Sequence, residues 1–279
     1  MKKILITGAS GFIGKSLVDN LKEDNFKIFC YSSKDGDIKQ QKTWDKMPNA
    51  DYLIHLAAKT FVPDSWDHPQ DFIDINSYSL INAIKYCKRN KCRLVYLSSF
   101  IYGNKKTLIN EESELSPHNP YALSKQIGEN ICEFYKKVDK LDVIILRPFN
   151  IFGNNQKENF LIPKLIKQIK NKEKISVMDI KPKRDYLYIK DLINAIRKSL
   201  FYKGKFYIFN IGSGKSYSVE HVINILQKLF KTNLDVITTQ EIRKMEVDDT
   251  IADIKLAKKE LNWQPEYSLE EALKEMIMK

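Results

Sequence analysis

Long hydrophobic runs are missing from this chain, although 43% of its 279 residues are hydrophobic. No apolar stretch approaches the ~18 residues that a membrane span needs, so we predict no membrane insertion. Met1-Lys2-Lys3 leads directly into a short apolar segment, which predicts no signal peptide. A chain of this length has room for one large domain or two small domains of ~100–200 residues each.

Cysteines are few, and their spacing argues against two kinds of site. The four cysteines form no C-x-x-C pair and have no histidine partner at the spacing of metal ligands. We therefore predict free, reduced thiols in a cytoplasmic protein without a metal site.

Blocks of basic residues are also missing, despite a formal net charge of +11. Lysines are spread over the whole chain, and no basic run is interleaved with aromatic residues as in nucleic-acid-binding segments. We therefore predict no nucleic-acid partner, although the positive field would attract a small acidic substrate.

The segment from Ile4 to Gly14 has the strongest local pattern. It reads I-L-I-T-G-A-S-G-F-I-G, and Leu17, Val18 and Leu21 follow at helical spacing. The apolar run predicts a buried strand, and the glycines predict a tight turn before a helix. Amides at a helix start bind phosphates, and glycines let a pyrophosphate approach the backbone. A glycine-rich turn without a ligand is the alternative.

The apolar segment Phe26–Tyr31 predicts the second strand, and the residues after it bear on the choice of dinucleotide. NAD-binding units place an acidic side chain there, which accepts hydrogen bonds from the ribose hydroxyls. This chain has Ser32, Ser33 and Lys34, and a hydroxyl and an ammonium would bind a 2′-phosphate. The sequence therefore favours NADP(H), while the nearby Asp35 and Asp37 keep NAD(H) as the alternative.

A third pattern indicates acid–base chemistry. Asn119 is a candidate N-cap and Pro120 opens a helix, so Tyr121 and Lys125 project from one helix face. An ammonium beside a phenol stabilises the phenolate, and we expect it to lower the pKa of Tyr121 from about 10. Such a phenol exchanges a proton with a sugar hydroxyl or carbonyl.

These patterns resemble the extended short-chain dehydrogenase/reductase family of nucleotide-sugar epimerases, dehydratases and reductases. The resemblance rests on the G-x-x-G-x-x-G turn, H-L-A-A at 55–58, S-S-F-I-Y-G at 98–103, Y-x-x-x-K and R-D-Y-L-Y-I-K-D at 184–191. It implies that Tyr121 exchanges the proton and that Lys125 also holds the nicotinamide ribose. It further implies that a serine hydrogen-bonds the reacting oxygen. Counting along the strand would select Ser99, whereas counting back from the Y-G turn, the firmer anchor, selects Ser98, which we expect to be the catalytic serine.

The resemblance also implies the remaining contacts. Expected cofactor contacts are Gly8, Ser10, Gly11, Phe12, Ile13, Ser32, Ser33, Lys34, Asp37, Ile38, Leu56, Ala57, Ala58, Tyr121, Lys125 and Pro148. Expected substrate contacts are Thr60, Ser98, Ser99, Phe100, Asn150, Arg184 and Arg243. An ion pair with Asp185 or Asp191 is the alternative for Arg184, and capping of a turn is the alternative for Asn150.

Residues that the family uses elsewhere, but that this chain lacks, narrow the reaction. Ser99-Phe100 stands where dehydratases carry Asp-Glu and where C3/C5 epimerases carry a cysteine. The resemblance then leaves NADPH-dependent reduction of a 4-keto-6-deoxy nucleotide sugar, or 4-epimerisation with tightly held NAD. Ser32 and Lys34 favour reduction, and a non-catalytic binding homologue is a further alternative.

We therefore predict an α/β protein with a Rossmann-type doubly wound parallel sheet and a smaller C-terminal substrate-binding lobe. Residues 1–150 are expected to form the NAD(P)-binding domain. Residues 151–279 are expected to form mainly the nucleotide-sugar lobe, with returns to the first domain near 183–215.

Three smaller expectations complete the sequence analysis. Lys59–Pro69, with two prolines, is predicted to be a loop near the mouth of the site. His55, inside an apolar segment, is predicted to be a structural core residue. Family members pair through the helices near Asn76 and Tyr121, which implies a homodimer.

Overall fold

A computed structural model describes residues 1–22, 24–105, 108–239, 241 and 244–278. Its strands are β1 (Lys2–Thr7), β2 (Phe26–Tyr31), β3 (Tyr52–His55), β4 (Arg93–Leu97), β5 (Val143–Pro148), β6 (Asn150–Phe152), β7 (Ile175–Val177), β8 (Lys183–Arg184), β9 (Tyr186–Tyr188), β10 (Ile208–Ile211), β11 (Tyr217–Ser218) and β12 (Val236–Thr238). Its helices are α1 (Phe12–Leu21), α2 (Gln41–Asp45), α3 (Val62–Asp67), α4 (Pro69–Ile73), α5 (Ser79–Asn90), α6 (Pro120–Asp139), α7 (Leu161–Lys170), α8 (Ile189–Phe201), α9 (Val219–Phe230), α10 (Lys255–Glu260) and α11 (Leu269–Met278). A π-helical turn, Asp74–Tyr78, joins α4 to α5.

Six parallel strands form the main sheet, in the order β10-β5-β4-β3-β1-β2. From β1 the chain adds β2 on one side and β3, β4 and β5 on the other. The strand order therefore reverses between β1 and β3, and ligands of such sheets bind at the carboxyl ends of the strands beside that point. The predicted doubly wound fold is confirmed.

Both faces of this sheet are buried. Ile4 and Ile6 of β1 pack into one hydrophobic cluster, while Leu5, pointing the other way, packs with Trp44 and Leu53 in a second cluster. Because both faces are covered, the strands read as continuous apolar runs in the sequence.

The segment Lys59–Pro69 is not a loop: it contains α3 and leads into α4. Its two prolines, Pro63 and Pro69, each stand in the first turn of a helix, where the missing N–H has no helical partner to lose. The prediction was wrong because prolines at helix starts look like loop residues in a sequence.

Outside the main sheet, the described residues also form three two-stranded ladders: β6 with β9, β8 with β11, and β7 with β12. Between them, α8 and β10 return to the main sheet. The predicted division between a cofactor domain and a substrate lobe stays a prediction.

The four cysteines are free thiols. In the part of the chain that the structure describes, no helix combines the length and apolarity of a membrane crossing. Within the same residues, no cluster of three or more His, Cys, Asp or Glu side chains suits a metal ion.

Candidate active site

The turn after β1 is built so that only glycine fits at Gly8. Its φ is 72°, and an added Cβ would lie 2.7 Å from the Ala57 nitrogen and 2.8 Å from the Leu56 carbonyl carbon. A Cβ on Gly14 would clash with the Gly8 carbonyl oxygen. The turn is thus pressed against the end of β3. No side chain caps α1, whose N-cap is Gly11, so its first amides remain for an anionic ligand.

A groove of about 350 Å³ runs from this turn to the end of β2. Of the predicted cofactor residues, Ser10 and Ser32 line it, whereas Ser33, Lys34 and Asp37 do not. The groove also holds residues that the sequence analysis did not assign to the site, among them Lys15, Asp35 and Asn155. The position of Lys15 in the first turn of α1 was a usable signal, but Asn155 comes from the distant loop after β6.

Ser32 is already engaged in the structure. Its backbone N–H and its hydroxyl both donate to the Asp35 carboxylate at 2.8 Å. These hydrogen bonds hold the pKa of Asp35 below its usual range, so the carboxylate is ionised. An anion at this place works against the NADP(H) preference that Ser32 and Lys34 predict.

The remaining predicted cofactor residues lie around the same end of the sheet. Phe12 and Ile13, at the start of α1, are half-buried, as are Leu56, Ala57 and Ala58 after β3. The carbonyl of Ile38 accepts a hydrogen bond from the Trp44 indole at 2.8 Å. Pro148 ends β5 and is buried.

Asn76 fixes the backbone that leaves β3. It lies in the π-helical turn, and its side chain accepts from the Lys59 N–H at 2.9 Å and donates to the Lys59 carbonyl at 3.0 Å. It also donates to the Ser124 hydroxyl on α6 at 2.9 Å. Thr60, a predicted substrate contact, directly follows Lys59 in the chain and is exposed.

His55 has the buried position expected of a structural residue. Its Nδ1 shares a 2.9 Å hydrogen bond with the Thr7 hydroxyl at the end of β1. Burial, together with the charge of Lys125, lowers the pKa of His55 to about 3, so the ring is neutral.

Asn119 caps α6 as predicted, accepting a hydrogen bond from the Ala122 N–H at 2.8 Å. The helix carries Tyr121 in its first turn, where the ring packs edge-on against Phe72 at 6.3 Å. Burial raises the pKa of Tyr121, and a hydrogen bond from Ser99 only partly offsets this. The expected lowering of the Tyr121 pKa is wrong, because burial outweighs any stabilisation of the phenolate.

Lys125 lies one turn further along α6 and is buried. Its Nζ donates to the carbonyl of Leu97 at 2.7 Å, at the end of β4, and sits 5.1 Å from the centre of the Tyr96 ring. Burial lowers the pKa of Lys125 to about 8. The ammonium therefore predominates near neutral pH and is lost as the pH rises through about 8.

The two candidate serines differ in their surroundings. Ser99 is the hydrogen-bonding neighbour of Tyr121. The Ser98 hydroxyl is buried and has no hydrogen-bond partner among the described residues, as expected of a group that binds a ligand. The ring of Phe100 packs in an aromatic cluster with His118 and Phe149, whose ring centroids lie 6.0 and 5.2 Å from its own.

Arg184 pairs with neither Asp185 nor Asp191. Its guanidinium forms an ion pair with Glu246 and donates to the Val247 carbonyl at 2.5 Å. It is also close enough to influence His118, whose pKa is lowered by burial and then by Arg184. His118, missed in the sequence, thus lies between Phe100 and Arg184.

The two aspartates of the R-D-Y-L-Y-I-K-D motif are structural. Asp185 accepts hydrogen bonds from Ser213, Gly214 and Ala252, and so ties three distant segments together. Asp191 accepts from the Glu266 N–H at 2.8 Å.

Two further residues, Asn150 and Arg243, were predicted to contact the substrate, and the structure describes the first of them. The N–H of Asn150 donates to the Asp185 carbonyl at 3.0 Å, which sets β6 beside the strand that follows Arg184. Arg243 lies outside the described residues.

The described residues fit a dinucleotide. The close glycine turn, the uncapped start of α1 and the groove beside Ser32 can hold its phosphates and adenosine. The site can also transfer a proton to or from the oxygen of an alcohol or ketone, through the side chains of Tyr121, Ser98, Ser99 and Lys125. A larger cavity of about 830 Å³ lies at the amino ends of the strands, opposite the candidate site, and contains none of the predicted site residues.

Known sequences resemble this chain over most of its length. The model of the NAD dependent epimerase/dehydratase family matches residues 4–212. A dTDP-4-dehydro-6-deoxyglucose reductase from Escherichia coli is 30% identical over 305 residues, covering 98% of this chain and 96% of the relative. A putative UDP-glucose 4-epimerase from Methanocaldococcus jannaschii is also 30% identical, covering 98% and 97%.

Solved structures share the whole fold. RMD from Pseudomonas aeruginosa, complexed with NADPH, has a TM-score of 0.91 at 25% identity and covers 100% of this chain and 98% of its own. A UDP-glucuronic acid 4-epimerase from Bacillus cereus, in complex with UDP-glucuronic acid and NAD, has a TM-score of 0.89 at 25% identity and covers 99% and 98%. The chain belongs to the NAD dependent epimerase/dehydratase family, extended short-chain dehydrogenase/reductases that include nucleotide-sugar reductases and epimerases.

Proposed function

We propose that this protein reduces a 4-keto-6-deoxy nucleotide sugar, with NAD(P)H as the hydride donor and Tyr121 as the proton donor. A nucleotide-sugar 4-epimerase is the second candidate, since one of the 30%-identical relatives carries that name. Ser99-Phe100, which offers no carboxylate beside the candidate serine, speaks against a dehydratase.

The choice of reduction is supported by the reductase among the 30%-identical relatives and by the geometry of the first turn of α6, where Ser99 is the hydrogen-bonding neighbour of Tyr121. Burial raises the pKa of Tyr121, so the resting side chain is a phenol that can give a proton to a ketone oxygen. A 4-epimerase begins by oxidising an alcohol, which requires a base at this place. Exposure of Ser10 and Asp35, which line the groove, also favours a dinucleotide that exchanges at every turnover.

The chain's own residues would act as follows. The bound nicotinamide supplies the hydride. Ser98, whose hydroxyl is not engaged by another described residue, would donate a hydrogen bond to the ketone oxygen and orient it toward Tyr121. Tyr121 transfers its proton to that oxygen, and the phenolate left behind is stabilised by the Lys125 ammonium and by Ser99. Arg184 would bind the diphosphate of the substrate, sharing its guanidinium with Glu246.

For the cofactor, we propose that NADH is used at least as well as NADPH. The ionised Asp35 beside Ser32 would accept hydrogen bonds from ribose hydroxyls and repel a 2′-phosphate. The ammonium groups of Lys15 and Lys34 would instead attract a 2′-phosphate, so the assay includes both NADH and NADPH.

The test is to incubate the protein with a panel of 4-keto-6-deoxy nucleotide sugars and to follow the absorbance of added NADPH or NADH. Stoichiometric loss of the reduced cofactor supports a reductase, and sugar conversion without net loss supports the epimerase. Cofactor binding without conversion of any sugar would point to the non-catalytic homologue.

Two variants of α6 make this test specific. Tyr121→Phe is expected to lower turnover by about 10²–10⁴-fold while dinucleotide binding persists. Tyr135→Phe, on the same helix but packed against Phe134 away from the site, is the control and should keep full turnover.

We also propose a homodimer through α5 and α6. Leu123, Phe134 and Val138 form one apolar face of α6 that is about half exposed. The π-helical turn that leads into α5 packs on α6 and presents the Tyr78 ring, which is exposed as well. A two-fold axis between two copies would therefore set the apolar face of one α6 against that of the other and remove both from water.

A further inference from the structure

Three ionisable side chains are buried between α6 and β5: Lys125, Glu129 and Arg147, each 3–4% exposed. Glu129 follows Lys125 by one turn of α6, and Arg147 is on β5. The Arg147 Nε donates to Glu129 Oε1 at 2.9 Å, and a terminal nitrogen donates to Oε2 at 2.5 Å. This bidentate pair fixes the orientation of the Glu129 carboxylate.

Arg147 is itself held from the other side. Its second terminal nitrogen donates to the Tyr102 hydroxyl at 2.7 Å and to the Glu111 carbonyl at 3.2 Å. Tyr102 in turn donates to the Asn210 side chain on β10 at 2.6 Å. The guanidinium is thus locked between α6, β5 and β10, and it cannot leave Glu129 without breaking this network.

The other groups around Lys125 are uncharged at neutral pH. Burial raises the pKa of the Tyr96 and Tyr121 phenols and of the Cys132 thiol, and it keeps His55 neutral. Of the titratable groups that the described residues place around Lys125, Glu129 is the one that forms an ion pair with a guanidinium. Its carboxylate opposes the effect of burial, which alone would favour the neutral amine.

The Glu129 carboxylate therefore contacts Arg147 directly, and it acts on Lys125 through space from one helical turn away. Arg147 binds it directly and does not lose its proton, so the group that adjusts is Lys125. We propose that Glu129 is a positioning residue that keeps Lys125 charged, and that Arg147 limits this effect by competing for the same carboxylate. The inference rests on the proposed function, in which the Lys125 ammonium stabilises the Tyr121 phenolate.

The proposal predicts opposite shifts for two substitutions. Glu129→Gln removes the anion, so Lys125 should lose its proton at lower pH. Arg147→Gln frees the carboxylate for Lys125, which should then lose its proton at higher pH. We expect each shift to be about one pH unit, a tenfold change in the protonation equilibrium. Damage to the packing would not produce opposite signs.

The primary measurement is the rate at which acetic anhydride acylates Lys125 as a function of pH, read by mass spectrometry of the full chain. The pH profile of kcat/KM is recorded in parallel, and its alkaline limb should move with the Lys125 titration. Glu129→Asp keeps the charge and should restore a profile close to wild type. Glu133→Gln, one turn further along α6 and paired with Lys137, is the control and should change neither curve.

Shifts in the same direction, or no shift in either variant, would overturn the proposal. If Glu129→Gln does not fold, Arg147→Gln decides alone, and an unchanged or lowered Lys125 titration in it refutes the competition. If the wild type shows no turnover but the acylation curves move as expected, the proposed function fails and this inference stands.

Discussion

Substitution of Gly8 by alanine separates the structural role of the opening turn from its role toward a ligand. The φ of 72° costs an L-residue about 1–2 kcal/mol. The new Cβ would lie 2.7–2.8 Å from the backbone of Ala57 and Leu56, and overpacking of this kind costs about 1–3 kcal/mol. We therefore expect Gly8→Ala to lower the free energy of unfolding by about 2–5 kcal/mol.

For a chain of 279 residues, the entropy of unfolding near Tm is about 0.6 kcal/mol/K, so this loss corresponds to a drop in Tm of about 3–9 °C. The assay is thermal unfolding followed by circular dichroism, with and without added dinucleotide. The dinucleotide should raise the Tm of the wild type and have little effect on Gly8→Ala, whose turn is displaced.

Gly11→Ala is the matched control within the same turn. Gly11 has an ordinary φ of −75°, and its added Cβ would meet only the Gly8 carbonyl oxygen, at 3.2 Å. We expect a loss of no more than about 1 kcal/mol of stability, but weaker dinucleotide binding, because the Cβ would stand where the pyrophosphate approaches. Equal Tm losses in the two variants, or an unchanged Tm in Gly8→Ala, would refute this reasoning.

Three more predictions concern other parts of the molecule. Asp35→Asn should improve the kcat/KM for NADPH relative to NADH several-fold, because the repelling charge disappears; an unchanged ratio would remove Asp35 from cofactor selection. Burial raises the pKa of Asp185 to about 6, above its unfolded value of 3.8, so its contribution to stability is present below pH 4 and is lost as the pH rises through 6. Urea unfolding of wild type and Asp185→Asn should therefore diverge between pH 4 and pH 6, the wild type losing up to about 3 kcal/mol relative to the variant; parallel curves would contradict this. Phe134→Glu should convert the dimer to a folded monomer in sedimentation velocity, whereas a wild type that is monomeric at all concentrations would exclude the proposed interface.

The fold could be predicted from the sequence because its signals are local. The apolar runs matched the buried strands, and the predicted second strand has the bounds of β2, Phe26–Tyr31. Asn119 and Pro120 marked the start of α6 correctly, because capping depends on neighbouring residues. The same reliance on local composition produced the error at Lys59–Pro69, where helix-opening prolines resembled loop residues.

The electrostatics of the candidate site could not be read in the same way. Spacing places Tyr121 and Lys125 on one face of α6, but it does not reveal that Lys125 turns to the Leu97 carbonyl. The Asp35 carboxylate reaches Ser32 through a turn whose register the sequence leaves open. One signal was available: Arg147 stands in an otherwise apolar strand, and a buried guanidinium requires a buried acidic partner.

Burial acts in opposite directions on the two candidate catalytic groups, and this gives the site a preferred direction of proton transfer. It raises the pKa of Tyr121 and lowers that of Lys125 to about 8. Reduction needs Tyr121 as the phenol and Lys125 as the ammonium, so the rate should be constant near neutrality and fall as the pH rises through about 8. Oxidation of an alcohol needs the phenolate and should instead accelerate with rising pH. The pH profile of kcat/KM with a 4-keto sugar and saturating NADH distinguishes them: a rate that climbs above pH 8 would contradict the role of Tyr121 as proton donor.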